Sequence, residues 1–248
     1  MANYENQPRY GATVAQSGAE AVDQGLRAYM LRVYNYMTIG LVLTGVTAWA
    51  VVNTSLINLF FQQSETGFGL TLLGWVAFLA PLALVFVFSF GIQRMSVATA
   101  QLLFWVYAAL MGVSLSPILL LYTGASVSRT FFITAATFGA MSLWGYTTSR
   151  DLTGMGRFLI MGVIGIIIAS IVNIFLGSAA VDFAISIIGV LAFTGLTAYD
   201  TQKVKEMYFV GDDGTVAGRK AIMGALNLYL DFVNLFLFLL RLFGSSRN

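Results

Sequence analysis

GVIGIIIASIV, Gly162 to Val172, decides the fold. Its side chains are apolar on every face rather than at every second position, so it is not the alternating strand of a membrane β-barrel. Read outward, the same character recurs along the chain. Of 248 residues 58% are hydrophobic and 10% charged, with a mean hydropathy of +0.81, whereas soluble domains carry about 25% charged residues. A bilayer core needs roughly 20 helical residues per crossing. With no water there to satisfy the backbone, each crossing must be a helix. The apolar runs place spans at Val33–Val52, Phe68–Phe90, Val97–Leu121, Thr130–Thr147, Gly156–Leu176, Phe183–Thr201 and Ala221–Phe243. The expected fold is therefore an all-α integral membrane protein of seven transmembrane helices, in contact with the lipid bilayer.

Residues 1–28 are polar and lack the apolar stretch and cleavage site of a secretory signal peptide. They read as a disordered cytoplasmic tail with a short helix near Ala19 to Ala28, and residues 29–248 as one membrane domain. Basic residues set the orientation. With a cytoplasmic N-terminus, that side receives Arg9, Arg27, Arg32, Arg94, Arg150, Arg157, Lys203, Lys205, Arg219 and Lys220, ten of the thirteen. Seven crossings then put the C-terminus outside, unless the last span is re-entrant. A net charge of +2 gives no reason to expect a nucleic-acid partner.

Missing residues exclude much chemistry. Without cysteine or histidine there is no disulfide, thiol catalysis, imidazole or thiolate zinc site, or Ser-His-Asp triad. The three lysines all lie between the last two spans, so no Schiff-base lysine sits in the membrane. Neither G-x-x-x-x-G-K-[ST] nor G-x-G-x-x-G occurs. No tightly bound cofactor and no enzymatic activity are expected. A bound metal would need oxygen ligands, which favours a hard cation such as calcium.

Ionisable groups within a span cost about 2.5 to 3.5 kcal/mol and usually face the bundle interior. Asp200 ends the sixth span in TAYDTQKVKEMY (Thr197 to Tyr208), and Asp231 lies inside the seventh, roughly 15 Å deep at 1.5 Å per residue. Asn227 and Asn234 fall on the Asp231 stripe, and Thr197 precedes Asp200 on its face. Asp200 either pairs with Lys203 at the interface or meets Asp231 across two antiparallel helices. In the second case the two carboxyls share a proton and titrate as a pair. Arg94, closing the second span, is either their counter-ion or a positive-side anchor. Asn173 reads as a cap or cross-link, Pro117 as a kink, and Gly162, Gly165 and Ala169 as a packing face.

FTGLTAYDTQKVKEMY and NLYLDFVNLFLFLLRLFG, with GVSLSPILLLYTGASV, TFGAMSLWGYTTSRDLTGMGRFL and MGVIGIIIASIVNIFLG, resemble the Bax inhibitor-1 family, in its bacterial branch. The likeness runs over about Met30 to Gly244. It implies a seven-helix bundle whose last helix is central and surrounded by the other six, in a bacterial inner membrane. It also implies a di-aspartyl pH sensor, matched by Asp200 and Asp231, and a basic residue that exchanges with it, matched by Arg94. The loop carrying FVGDDGTVAGRK is longer than in compact members, and its Asp212 and Asp213 either attract cations or form a solvated turn.

Three functions compete. A pH-gated calcium leak would use Asp200 and Asp231 as gate and transient calcium ligands, with Asn227, Asn234 and Thr197 lining the path. An interaction protein modulating a membrane quality-control protease would use the N-terminal tail. An intramembrane aspartyl protease would use the same two acids, but LYLD around Asp231 lacks the glycines of a G-x-G-D pattern.

Overall fold

The computed structural model describes residues 10–64 and 67–247. In order these form α1 (Tyr10–Asn53), α2 (Ile57–Phe60), β1 (Phe61–Ser64), β2 (Gly67–Leu70), α3 (Leu72–Gly91), a 3-10 turn (Ile92–Arg94), α4 (Val97–Leu121), α5 (Gly124–Thr147), α6 (Thr153–Leu176), α7 (Ala179–Glu206) and α8 (Gly214–Phe243). Among the described residues six helices are long and apolar enough to cross a membrane: the Val22–Asn53 part of α1, then α3, α4, α6, α7 and α8. α5 has 24 residues, as many as α6, but its serines, threonines and Arg129 dilute its apolar character.

The helices start where side chains satisfy the free N–H groups of the first turn. Thr71, Ser96, Thr123 and Ser178 cap α3, α4, α5 and α7, and Asp213 accepts from Thr215 and Val216 at the head of α8. α6 stops at Gly177, whose φ of 60° places it in the left-handed region that glycine enters without steric cost. Asn173 does cap that end, its Oδ1 accepting from the Ser178 N–H. Within α4, Pro117 has no N–H to give the Val113 carbonyl. The Ser116 hydroxyl donates there instead, at 2.7 Å, and the helix runs on.

Three expectations need revision. The second span begins at Leu72, because Phe68 pairs with Gln63 in an antiparallel hairpin of β1 and β2 and Thr71 caps the helix behind it. The first helix does not start at the edge of the polar tail but reaches back to Tyr10. No proline interrupts residues 10–28, and Leu26, Tyr29 and Met30 anchor them on the core; residues 1–9 of the expected tail lie outside the described residues. Gly162 and Gly165 are not a packing face, since a side chain added at either would meet open space. α6 packs through Gly156, Leu159 and Ile166 instead.

α8 is the most buried long helix. It packs against α1, α4, α5 and α7, while α3 lies chiefly on α4 and α6 chiefly on α7. The last helix is thus central, but four long helices surround it rather than six. It is also continuous for 30 residues, about 45 Å. Beyond it Arg247 donates to the Leu121 carbonyl and Ser246 bridges Tyr122 at the α4–α5 connection, the end opposite the α7–α8 turn. α8 therefore runs from one end of the bundle to the other without turning back.

Candidate functional site

Two close helix crossings build the site. Gly224 of α8 faces Val204 of α7, where an added Cβ would stand 2.9 Å from the valine side chain. Gly145 of α5 lies directly against the backbone of Ala198 in α7, leaving no room for any side chain. These contacts hold α7 between α5 and α8 and fix which of its residues point inward.

Asp200 on α7 and Asp231 on α8 stand next to each other, close enough for each carboxyl to act on the other. Asp231 is 4% exposed, and its Oδ2 is buried without a hydrogen-bond partner. Of the two arrangements open to Asp200, the structure adopts the one with Asp231. Lys203 is close enough for its charge to reach both acids. It makes no ion pair among the described residues and sits over the Tyr199 ring, 5.9 Å from its centre.

The other expected members divide. Thr197 is fully buried, but its hydroxyl donates to the Phe193 carbonyl of its own helix. Asn234 donates to Leu230 O at 2.8 Å, leaving its side-chain oxygen unused. Asn227 is partly buried and makes no side-chain hydrogen bond among the described residues. Arg94 is exposed on the 3-10 turn and is not brought to the acids. That turn is instead held by Arg219 of α8, whose guanidinium donates to the Gln93 and Met95 carbonyls. Asp212 pairs with Lys220 at 2.5 Å and Asp213 caps α8, so both loop acids have structural partners. No cluster of three or more acidic side chains able to hold a metal occurs among the described residues. The pair supplies two carboxylates where a resident calcium takes six to eight oxygens.

Some polar machinery around the acids escaped sequence reasoning. The Tyr34 hydroxyl of α1 shares a 2.5 Å hydrogen bond with Ser142 of α5, which shares another of 3.0 Å with Thr201 of α7, next to Asp200 in the chain. Gln202 accepts from the Leu152 N–H and donates to the Arg150 carbonyl, both at 2.8 Å, locking the α5–α6 turn to α7. Tyr229 meets Thr44 at 2.7 Å within the core. Each partner stands 50 or more positions away in sequence, so no local pattern announces the contact.

Comparison with known proteins agrees with this architecture. The family described as "Inhibitor of apoptosis-promoting Bax1" matches residues 26–248. An uncharacterized protein of Rickettsia prowazekii is 53% identical, covering 91% of this chain and 93% of its own length. The inner membrane protein YbhL of Escherichia coli is 49% identical over 90% of this chain and 94% of its own. An uncharacterized membrane protein of Streptococcus pyogenes is 36% identical over 90% and 95%.

Proposed function

This chain belongs to the Bax inhibitor family of membrane proteins, and from that premise we propose that it is a pH-sensitive calcium leak channel gated by Asp200 and Asp231. Seven crossings, a cytoplasmic N-terminus and a bacterial inner membrane complete the reading. The carrying observation is the approach of half-buried Asp200 to fully buried Asp231, with one Asp231 oxygen left unpartnered. Two carboxylates in a poorly solvated site repel when both are charged, and one shared proton converts that repulsion into a hydrogen bond. The proton clamps α7 to α8 and closes the path. Its loss at higher pH drives the helices apart.

Once apart, the acids, Asn227 and the free oxygen of Asn234 offer successive oxygen ligands to a passing calcium ion. Lys203, the cation nearest the pair, limits the repulsion in the open state. Arg94 serves the same role only if the 3-10 turn swings inward. Calcium uptake into sealed proteoliposomes across pH tests the gate. Flux of the unmodified protein should rise with pH, whereas Asp200→Asn and Asp231→Asn should flatten the profile, because an amide cannot give up the clamping proton. A pH profile unchanged in both variants would remove the gating role.

The length of α1 favours a second reading. Its 44 residues span about 66 Å, well beyond the other helices, and an N-terminal extension of this kind suits capture of a partner such as a membrane protease complex. Deleting residues 1–21 should then abolish capture and leave flux intact.

A further inference from the structure

α1 and α5 line common cavities but make little direct contact, and a seam separates them. At the end of the bundle that carries the α7–α8 turn, the seam opens into a cavity of about 550 Å³ lined by residues that include Arg27, Met30, Tyr34, Gly139, Ser142 and Tyr146, a size typical of small-molecule sites. Toward the other end a second cavity of about 140 Å³ lies where α1 and α5 meet α4 and α8, past Leu41, Gly45, Phe131 and Phe232. The seam faces outward, since Leu31 and Leu143 on its lips are 53% and 64% exposed. Its floor is the Tyr34–Ser142 hydrogen bond and the Phe138 ring.

Apolar walls, an opening to the side, Arg27 at the mouth and Lys205 on Tyr146 behind it describe the shape and charge of a lipid. Among the described residues no carboxylate pairs with Arg27, so its guanidinium is available to a phosphate. From Arg27 to Leu41 is 14 residues, about 21 Å of helix, somewhat more than one leaflet of a 30 Å hydrocarbon core. We propose that this seam is a binding site for one anionic phospholipid of the surrounding bilayer, its phosphate on Arg27 and an acyl chain along the α1–α5 groove. Basic pockets between transmembrane helices recognise such headgroups. The occupant seals a groove that protein side chains leave open.

The test uses the full-length protein in nanodiscs with phosphatidylglycerol carrying a photoreactive acyl chain, and the adducts are mapped by peptide. Adducts should concentrate on Met30 to Met37 and Phe138 to Ser142. Unlabelled phosphatidylglycerol should compete better than phosphatidylcholine by about fivefold, the ratio that one basic residue contributes near a membrane surface. Arg27→Gln should erase that preference. Gly139→Phe should remove the groove adducts, because a Cβ at Gly139 meets nothing within 4 Å and the ring then projects into the groove. Adducts as dense on the exposed face of α6 as in the groove, equal competition by the two lipids, or groove adducts surviving in Gly139→Phe would each overturn the proposal. The map on the unmodified protein decides the matter even if the phenylalanine variant fails to fold.

Discussion

At the scale of single residues, the environment of Ser142 explains more than its chemistry. It is 4% exposed and shares hydrogen bonds with both Tyr34 and Thr201, so Ser142→Ala leaves the Tyr34 hydroxyl without its partner, while Thr201 keeps its bond to the Thr197 carbonyl. The expected loss is about 1 to 3 kcal/mol, read as a lower unfolding midpoint in detergent. Thr147→Ala on the same helix, where the hydroxyl is exposed and bonds only its own backbone, should change little. Asp151 shows the opposite regime to Asp231. It is solvent-exposed, and hydrogen bonds from the Thr153 side chain and backbone hold its carboxyl below the ordinary aspartate range. It therefore stays ionised through neutral pH and regains its proton only at greater acidity than a free aspartate. Asp151→Asn should leave the pH profile of calcium flux above pH 5 unchanged, which proteoliposome uptake would check.

At the scale of helices, small residues matter only where another backbone approaches. Gly145 lies against the Ala198 backbone, whereas Gly165 faces open space. Gly145→Val should separate α5 from α7, breaking the Ser142–Thr201 contact and costing about 1 to 3 kcal/mol as overpacking does. Gly165→Ala should be neutral or stabilising by up to about 1 kcal/mol, the helix-propensity difference between the two residues. Thermal unfolding of the two variants side by side separates contact from composition. Equal effects would mean that α6 packs through Gly165 after all. The same reasoning explains why α3 could not be bounded from hydropathy: Phe68 is as apolar as the helix behind it, and only the Thr71 cap and the hairpin pairing exclude it.

At the scale of the whole molecule, the connections alternate between two ends. The 3-10 turn, the α5–α6 turn and the α7–α8 turn gather at one, and the β1–β2 hairpin, the α4–α5 connection and the C-terminal residues lie at the other. A single cysteine is a clean probe because the chain has none. With α5 crossing and the N-terminus inside, Ala125→Cys should react with a membrane-impermeant maleimide on intact cells and Ser149→Cys only after permeabilisation. Labelling of both from one side would show that α5 does not cross.

Composition and apolar run length were enough to determine the all-α class, the approximate place of each long helix and the two acids that needed explaining, because burial in hydrocarbon acts along the run itself; the helix starts, except that of α4, lie three or more residues earlier or later, where the caps stand. The bundle decided the rest. It chose Asp231 over Lys203 as the partner of Asp200, left Arg94 outside and put Arg219 under the turn, turned Gly165 outward, and opened the α1–α5 seam. Each of these depends on how far one helix is rotated and shifted against another. That register is set by steric contacts such as Gly145 on Ala198 and Gly224 on Val204, whose partners lie 20 to more than 50 residues apart and leave no mark in the local pattern.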